Sequence, residues 1–424
     1  MPSRWRWIFS HEGFRRYFAN TGWLFSGQLF SLVISFFIGV WIARYLGPNN
    51  YGTLNYVLSF AGLFSLIAGF GVDGILTRDF VKHPDKTADF FGTGSVIKFV
   101  SGLLAWALSS LAAWIFIPEL LPRLLVSLFS LSFIFQSLNI LDAFFRARVE
   151  ARYSVRAQVF ATVVVSILKI AVILLGGGII WLVGIYVLET LCIGLALRFI
   201  FLRRRLKFGP WRWNSKLAGQ ILRFSWPLML ANVSAFFLLK IDQVLLAHFL
   251  PQSAIGLYAA AAKLTEVWYF IPSIICSSLL PAVIRARSSD INLFRKRLKN
   301  LYTMLFGLAV LISIPVFFLA TPLVSVIFGS AYLAAAPVAA IYILSLVGWF
   351  LSYAVWNRFI VENRSGLVLL ASAVPLVLNI ILNLLWIPRY GLVGAAWATT
   401  ISYSVGALFI FYKNSDHEDT ANYN

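Results

Sequence analysis

The sequence predicts an all-α, polytopic membrane protein of about twelve transmembrane helices, arranged as two six-helix lobes related by a parallel repeat. Three observations predict it. Hydrophobic residues make up 60% of the 424 residues and charged residues only 12%, about half the charge fraction of an ordinary soluble domain. The apolar residues fall into twelve runs, most long enough to cross the roughly 30 Å hydrocarbon layer as a helix. The basic residues cluster between alternate runs.

The twelve runs are Thr21–Ala43, Thr53–Val72, Phe91–Ile117, Leu120–Leu141, Ala157–Leu175, Ile179–Phe201, Ser225–Phe249, Ile255–Leu280, Leu301–Leu319, Ala334–Trp356, Gly366–Ile387 and Gly391–Tyr412. Hydrocarbon offers no water to satisfy loose backbone groups, so each is expected to be helical. Ahead of the first run lies a basic and aromatic stretch with Arg4, Trp5, Arg6, Trp7, Phe9, Phe14, Arg15 and Arg16. It reads as an interfacial segment on the membrane surface. The first run is too long for the core of a cleavable signal peptide and reads as a span.

Loop charge sets the orientation. Of 35 Lys and Arg residues, 28 lie in segments on the side of the N-terminus. Only Arg44, Arg123 and Arg389 lie on the other side, and Lys98, Lys169, Lys240 and Lys263 fall within spans. By the positive-inside rule both termini are expected to be cytoplasmic, in a multi-pass protein expected in the plasma (inner) membrane. The net charge of +19 is thus a topology signal, and no nucleic-acid partner is implied.

The largest inner segment divides the chain near its middle. The expected organisation is an interfacial N-terminal segment (1–20), an N-lobe (21–201), a cytoplasmic inter-lobe loop (202–224), a C-lobe (225–412) and a cytoplasmic tail (413–424). The halves repeat. At an offset of 204 residues Ala43-Arg44-Tyr45-Leu46 falls on Ala247-His248-Phe249-Leu250, and Gly52 on Gly256. At an offset of 210, Leu182-Val183-Gly184 falls on Leu392-Val393-Gly394 and Lys169 on Asn379. Six spans per half give both lobes the same orientation, with an axis along the membrane normal and a substrate site expected between the lobes near mid-membrane.

Chemistry-bearing motifs are sparse. Gly69 to Gly74 matches G-x-G-x-x-G, but no βαβ unit surrounds it, so it reads as a flexible helix end. Asn232-Val233-Ser234 lies inside a span and is a chance glycosylation match. Cys192 and Cys276 sit in apolar runs as inert thiols. The four histidines are scattered, and no metal or catalytic cluster and no cofactor is expected. The outer loops are short, so the large outer catalytic loop of a membrane enzyme of glycan assembly has no counterpart. These features point to a transporter and away from an enzyme.

The informative residues are the charges within spans: Lys98, Lys169, Glu189, Lys240, Asp242, Lys263 and Glu266. Each costs about 2.5–3.5 kcal/mol at mid-bilayer on insertion scales, so such groups face the bundle interior or a wet cavity. Lys98 and Lys263 lie near helix ends, where snorkelling is open to them. Lys263 and Glu266 are three apart and can touch. Lys240 and Asp242 are two apart and point in different directions, so Asp242 needs a partner from another helix, with Lys263 a candidate. Asn379 and Asn383 share one face of the eleventh span. Structural pairing and cavity lining both suit this set. Prolines are concentrated in the second half (Pro227, Pro272, Pro315, Pro337 and Pro375), which predicts more bending there.

Four stretches resemble a known family. They are Ile42-Ala43-Arg44-Tyr45-Leu46-Gly47-Pro48 through Tyr51-Gly52, then Gly69-Phe70-Gly71-Val72-Asp73-Gly74-Ile75-Leu76-Thr77-Arg78, Lys240-Ile241-Asp242-Gln243-Val244-Leu245-Leu246, and Pro388-Arg389-Tyr390-Gly391-Leu392-Val393-Gly394-Ala395-Ala396. Their order and spacing resemble the polysaccharide (O-antigen) flippases of the multidrug/oligosaccharidyl-lipid/polysaccharide exporter superfamily. Many of those relatives have fourteen helices. The resemblance implies a partner of the undecaprenyl-diphosphate-linked oligosaccharide type, flipped from the inner to the outer leaflet, with H+ or Na+ as a possible coupling ion and membrane lipids around it. Four in-span lysines against three acids suit an anionic head. A multidrug or cation exporter of the same superfamily is the nearest alternative, and a glycan-assembly enzyme or a non-transporting scaffold stands further off.

Overall fold

The computed structural model describes residues 12–204, 211–287, 290–361 and 365–420. The expected interfacial residues 1–11, positions 205–210 of the central loop and residues 421–424 of the tail lie outside them. All twelve apolar runs fall in helical backbone, and the described residues contain no strand.

In chain order the helices are α1 (Glu12–Gly69), α2 (Val72–Lys82), α3 (Thr87–Phe116), α4 (Leu120–Ser130), α5 (Ser132–Phe135), α6 (Ile140–Ala147), α7 (Ala151–Leu174) and α8 (Ile179–Arg203). Then come α9 (Ser215–Phe249), α10 (Gln252–Glu266), α11 (Phe270–Arg287), α12 (Ile291–Phe318), α13 (Ala320–Phe328), α14 (Ala336–Tyr342), α15 (Ser345–Val361) and α16 (Ser365–Thr420). Seven helical stretches among the described residues are long and apolar enough to span a membrane, and the bent pair Ser330–Tyr342 and Ser345–Phe359 makes an eighth. Two of these stretches hold more than one span. Gly22–Lys82 is 61 residues long, about 90 Å if straight, or three bilayer cores.

Glycine breaks these long helices where the sequence places a loop. Gly47 adopts φ 68°, ψ 171°, which a side chain disfavours, and Pro48 follows with its φ fixed for a new helix start. Gly391 (φ 57°, ψ −134°) interrupts α16 in the same way. The G-x-G-x-x-G stretch is also a break: Phe70 and Gly71 carry positive φ before α2 begins.

Helix interruptions are present in both halves. The tenth span bends by 48° between α14 and α15, with Pro337 in the first turn of α14. The fourth span is interrupted too, by a 3-10 turn at Gln136–Asn139 without any proline. Proline position therefore accounts for only some of these interruptions.

The chain forms two compact units: one of residues through Ile42 with Phe60–Asn232, the other of Ala43–Ser59 with Val233–Asn424. The segment 43–59, from the first half of the sequence, packs in the second unit. Within that unit Arg44 donates to the backbone carbonyls of Ile327, at 2.8 Å, and Val326. A cation on the free carbonyls at the end of α13 is favourable. Tyr332 Oη donates to the Ala43 carbonyl at 2.7 Å. Gly52 and Gly256, equivalent in the repeat, meet here: a Cβ on Gly52 would lie 1.7 Å from the Gln252 carbonyl oxygen. The first family-like motif is thus a packing joint.

The first unit is closed at one end by aromatic packing, with Phe80, Phe90, Phe91, Phe144 and Phe201 in one buried cluster. In the second unit a core of Cys276, Leu301, Leu305, Leu346 and Phe350 joins α11, α12 and α15.

Candidate functional site

The nine site residues expected from the sequence lie on six helices of the two units, and most are engaged in specific contacts. In the first unit, Lys169 on α7 donates to Glu189 Oε2 on α8 at 3.2 Å. Its ammonium also lies 3.9 Å from the centroid of the Tyr186 ring, whose π face attracts a cation. Tyr186 and Glu189 are three apart on α8, so they share a face and clasp the lysine together.

Lys98 on α3 departs from expectation. Its side chain does not run to a helix end: it is 2% exposed and donates to Asp73 Oδ1 at 2.6 Å. Asp73 sits in the first turn of α2, created by the glycine break before it. Asp73 carries no signal in the sequence, where the break reads as a plain helix end. In both pairs the lysine is the deeper partner, at 2% against 58% side-chain exposure for Lys98–Asp73 and 9% against 29% for Lys169–Glu189.

In the second unit the ion pair is evenly exposed, at 23% for Lys240 against 26% for Glu266, and a deeply buried acid lies apart from it. Lys240 on α9 donates to both carboxylate oxygens of Glu266 on α10, at 2.9 and 3.1 Å. Lys240 and Asp242 point apart, as their spacing requires. Asp242 is 1% exposed. The sequence leads one to expect a lysine, Lys263, on this carboxylate; what holds it is a set of neutral donors. Tyr258 Oη donates to Oδ2 at 2.7 Å, Asn383 Nδ2 donates to Oδ1 at 2.8 Å, and the Thr399 hydroxyl donates to Oδ2. Lys263 lies half-buried on α10.

The two asparagines close the cage. Asn383 Nδ2 also faces the Asn379 carbonyl and Oδ1 at 2.9 and 3.0 Å, and Asn379 Nδ2 donates to Thr399 Oγ1 at 3.4 Å. Asn379, Asn383 and Thr399 are all fully buried. Asn383 Oδ1 is buried without a hydrogen-bond partner, an unusual condition for a carbonyl oxygen. A carboxylate, two amides and two hydroxyls therefore meet among α9, α10 and α16, with Asn383 Nδ2 and the Tyr258 and Thr399 hydroxyls turned to the carboxylate. A buried carboxylate held by neutral groups suits a proton or a monovalent cation as its counter-charge.

Tyr258 and Thr399 were missed from the sequence. Tyrosine and threonine carry no charge and draw no attention in an apolar run. Thr399 was within reach, because the offset of 210 that sets Lys169 on Asn379 also sets Glu189 on Thr399. The bonded pair of the first unit thus recurs in the second as a neutral pair. Among the described residues no group of three or more His, Cys, Asp or Glu is placed to hold a metal ion.

The described residues form a helical bundle with charges buried in each unit, and solved structures agree on the fold. The lipid II flippase MurJ in an inward closed conformation superposes with a TM-score of 0.74 at 18% identity, covering 92% of this chain and 87% of that one. A multidrug resistance MATE family transporter of the MOP superfamily, inward-facing, gives 0.73 at 13% identity, covering 92% and 96%. The fold is therefore that of the multidrug/oligosaccharidyl-lipid/polysaccharide exporter superfamily.

Residues 17–287 match the family described as "Polysaccharide biosynthesis protein", and the chain belongs to that family. A relative from Haloferax volcanii, described as "Probable low-salt glycan biosynthesis flippase Agl15", is 24% identical over 197 residues, 46% of this chain and 41% of that protein. Across the curated relatives it matches, the chain spans between 39% and 59% of their length.

Proposed function

We propose that this chain flips a lipid-linked oligosaccharide of the undecaprenyl-diphosphate type from the inner to the outer leaflet of the plasma membrane, for the assembly of a surface polysaccharide such as O-antigen. On this reading both termini are cytoplasmic. Family membership and relatives named as flippases support the class of activity.

The observation that carries the substrate assignment is the sign of the buried charge in the first unit. Lys98 and Lys169 are each deeper than the acid that pairs with them. An anion of the substrate can take over such a lysine while the displaced carboxylate turns to water. A diphosphate needs this, because an unpaired anion in a low-dielectric cavity is prohibitively costly. Lysine serves as a point charge that tolerates varied poses.

The second unit supports a coupling role. Asp242 is a buried carboxylate among neutral groups, so its charge calls for a proton or a monovalent cation. The residues fit either: Asp242, Asn379, Asn383 and Thr399 would hold Na+ through oxygen, and Asp242 would carry the proton. A bound cation would supply the positive charge that lets the carboxylate stay buried. Releasing it would leave an uncompensated anion and favour a different packing of α9, α10 and α16.

Deletion of the gene tests this reading. The expected result is lipid-linked oligosaccharide held on the inner leaflet and loss of the finished glycan from the cell surface. Lys169→Ala should reproduce part of that loss at normal protein level, with Lys169→Arg milder. A deletion strain with intact surface glycan and new sensitivity to cationic dyes would overturn the reading in favour of drug export.

A further inference from the structure

One face of α15 carries a pattern that the buried charges do not require, although Trp349 and Tyr353 also pack against the second unit's core. Trp349, Ser352, Tyr353 and Trp356 stand at i, i+3, i+4 and i+7, a single stripe along the helix. The stripe lines a cavity of about 100 Å³ within the second unit, with Leu238, Ala371, Ser372, Pro375 and Tyr403 as its other walls.

The polar atoms around this cavity lack partners. Trp349 Nε1, Trp356 Nε1, Ser352 Oγ and Tyr403 Oη are all buried without a hydrogen bond, and Tyr403 as a residue is 1% exposed. Buried indole N–H and hydroxyl groups almost always find a partner. Four such atoms fall on this one cavity, where Phe, Ala and Phe would fill the same space without leaving polar atoms stranded. The aromatic faces are held in place as well. Trp349 stacks on Tyr269 at 4.5 Å with 20° between planes, and Tyr403 meets it edge-on at 5.4 Å.

We infer that this cavity is a saccharide subsite: it takes the hydroxyl-bearing edge of one sugar ring of the glycan carried by the substrate. The inference rests on the flippase reading and adds where the neutral glycan is recognised. The chemistry selects a sugar. Two indole N–H groups are obligate donors and need acceptor oxygens, while the two hydroxyls both give and accept. No lysine, arginine, aspartate or glutamate lines the cavity, so neither a phosphate nor an organic cation finds a counter-charge there. Aromatic faces beside hydrogen-bonding edges match the alternating C–H faces and hydroxyl rim of a pyranose. The cavity is small, so it grips part of one residue and leaves the rest of the glycan outside.

The test uses the full chain purified into phospholipid nanodiscs. The probes are the free glycan, released by mild acid from the lipid-linked pool of the deletion strain, and undecaprenyl phosphate without glycan, each followed by equilibrium dialysis. The released glycan should bind the wild type. Trp356→Phe and Ser352→Ala should weaken that binding at least tenfold, and their combination with Tyr403→Phe should abolish it, while undecaprenyl phosphate binds all variants equally. Trp356→Phe keeps an aromatic ring in the core, and unchanged thermal unfolding of that single variant guards against a folding defect. Glycan binding that is absent in the wild type, or unaltered in Trp356→Phe and Ser352→Ala, overturns the subsite and leaves the flippase reading intact. A deletion strain that accumulates no lipid-linked pool overturns the flippase reading, and this inference falls with it.

Discussion

The two units bury charge by different means, the second burying a cation, Arg358, as well as an anion. The first unit sinks the cations Lys98 and Lys169 and matches each with a single, more exposed acid. The second sinks the anion Asp242 and surrounds it with Tyr258, Asn383 and Thr399, none of them charged. An ion pair is neutral without any ligand, so the first unit is stable as it stands and can exchange its acid for a substrate anion. A carboxylate among neutral donors is only partly compensated, because hydrogen bonds spread its charge but do not cancel it. The first arrangement suits a ligand that competes with a partner, and the second suits a small cation that completes the site.

The comparison can be broken most forcefully at Asp242. Asp242→Asn keeps the shape and removes the charge, and the hydroxyls of Tyr258 and Thr399 can turn to accept from the new amide N–H, so the fold should survive. Gradient-driven transport should fall by at least about a hundredfold, roughly 2.7 kcal/mol in coupling. Exchanging Asp242 and Lys263 should not restore it, because a lysine at 242 would face the donors of Tyr258, Asn383 and Thr399. Normal transport in the exchanged protein would show that an ion pair, and not the oxygen cage, is what matters.

A second effect is structural and falls on the joint inside the second unit. Gly52→Val drives a side chain into the Gln252 carbonyl and should cost about 3 kcal/mol or more by overpacking. Thermal unfolding of the purified protein reads this as a marked drop in midpoint, whereas Gly184→Ala, with open space around it, should leave the midpoint nearly unchanged.

The first unit allows a finer test. Glu189→Gln strands a buried cation and should destabilise by about 3 kcal/mol. Lys169→Met strands only the more exposed acid and should cost about 1 kcal/mol, yet it should lower transport about tenfold. Equal unfolding midpoints for the two variants would remove the claimed asymmetry of depth.

Much of this was legible in the sequence. The class of fold follows from length and apolarity, since a chain this poor in charge has few other ways to satisfy its backbone in lipid. Charges inside spans stand out one by one, so Lys169, Glu189, Lys240, Asp242 and Glu266 were visible as a set. Their pairing was not. Lys98 goes to Asp73 because a glycine break starts a new helix at Val72, a backbone event with no charge signature. Asp242 goes to Tyr258 and Thr399, whose polar atoms hide in residues that read as apolar filler. The packing of residues 43–59 in the second unit is a long-range contact through Arg44, Gly52 and Tyr332, which no local pattern encodes.

If the first unit handles the anionic substrate and the second the coupling cation, a flux measurement in proteoliposomes shows it directly. Flipping of the extracted lipid-linked oligosaccharide would be followed with and without an imposed H+ or Na+ gradient. The account predicts that the wild type accelerates under one of the two gradients. Asp242→Asn should flip at one slow rate whatever the gradient, and Lys169→Ala should flip slowly but keep the same proportional acceleration. An Asp242→Asn protein that retains the full response, or a Lys169→Ala protein that loses it, would contradict the division of labour.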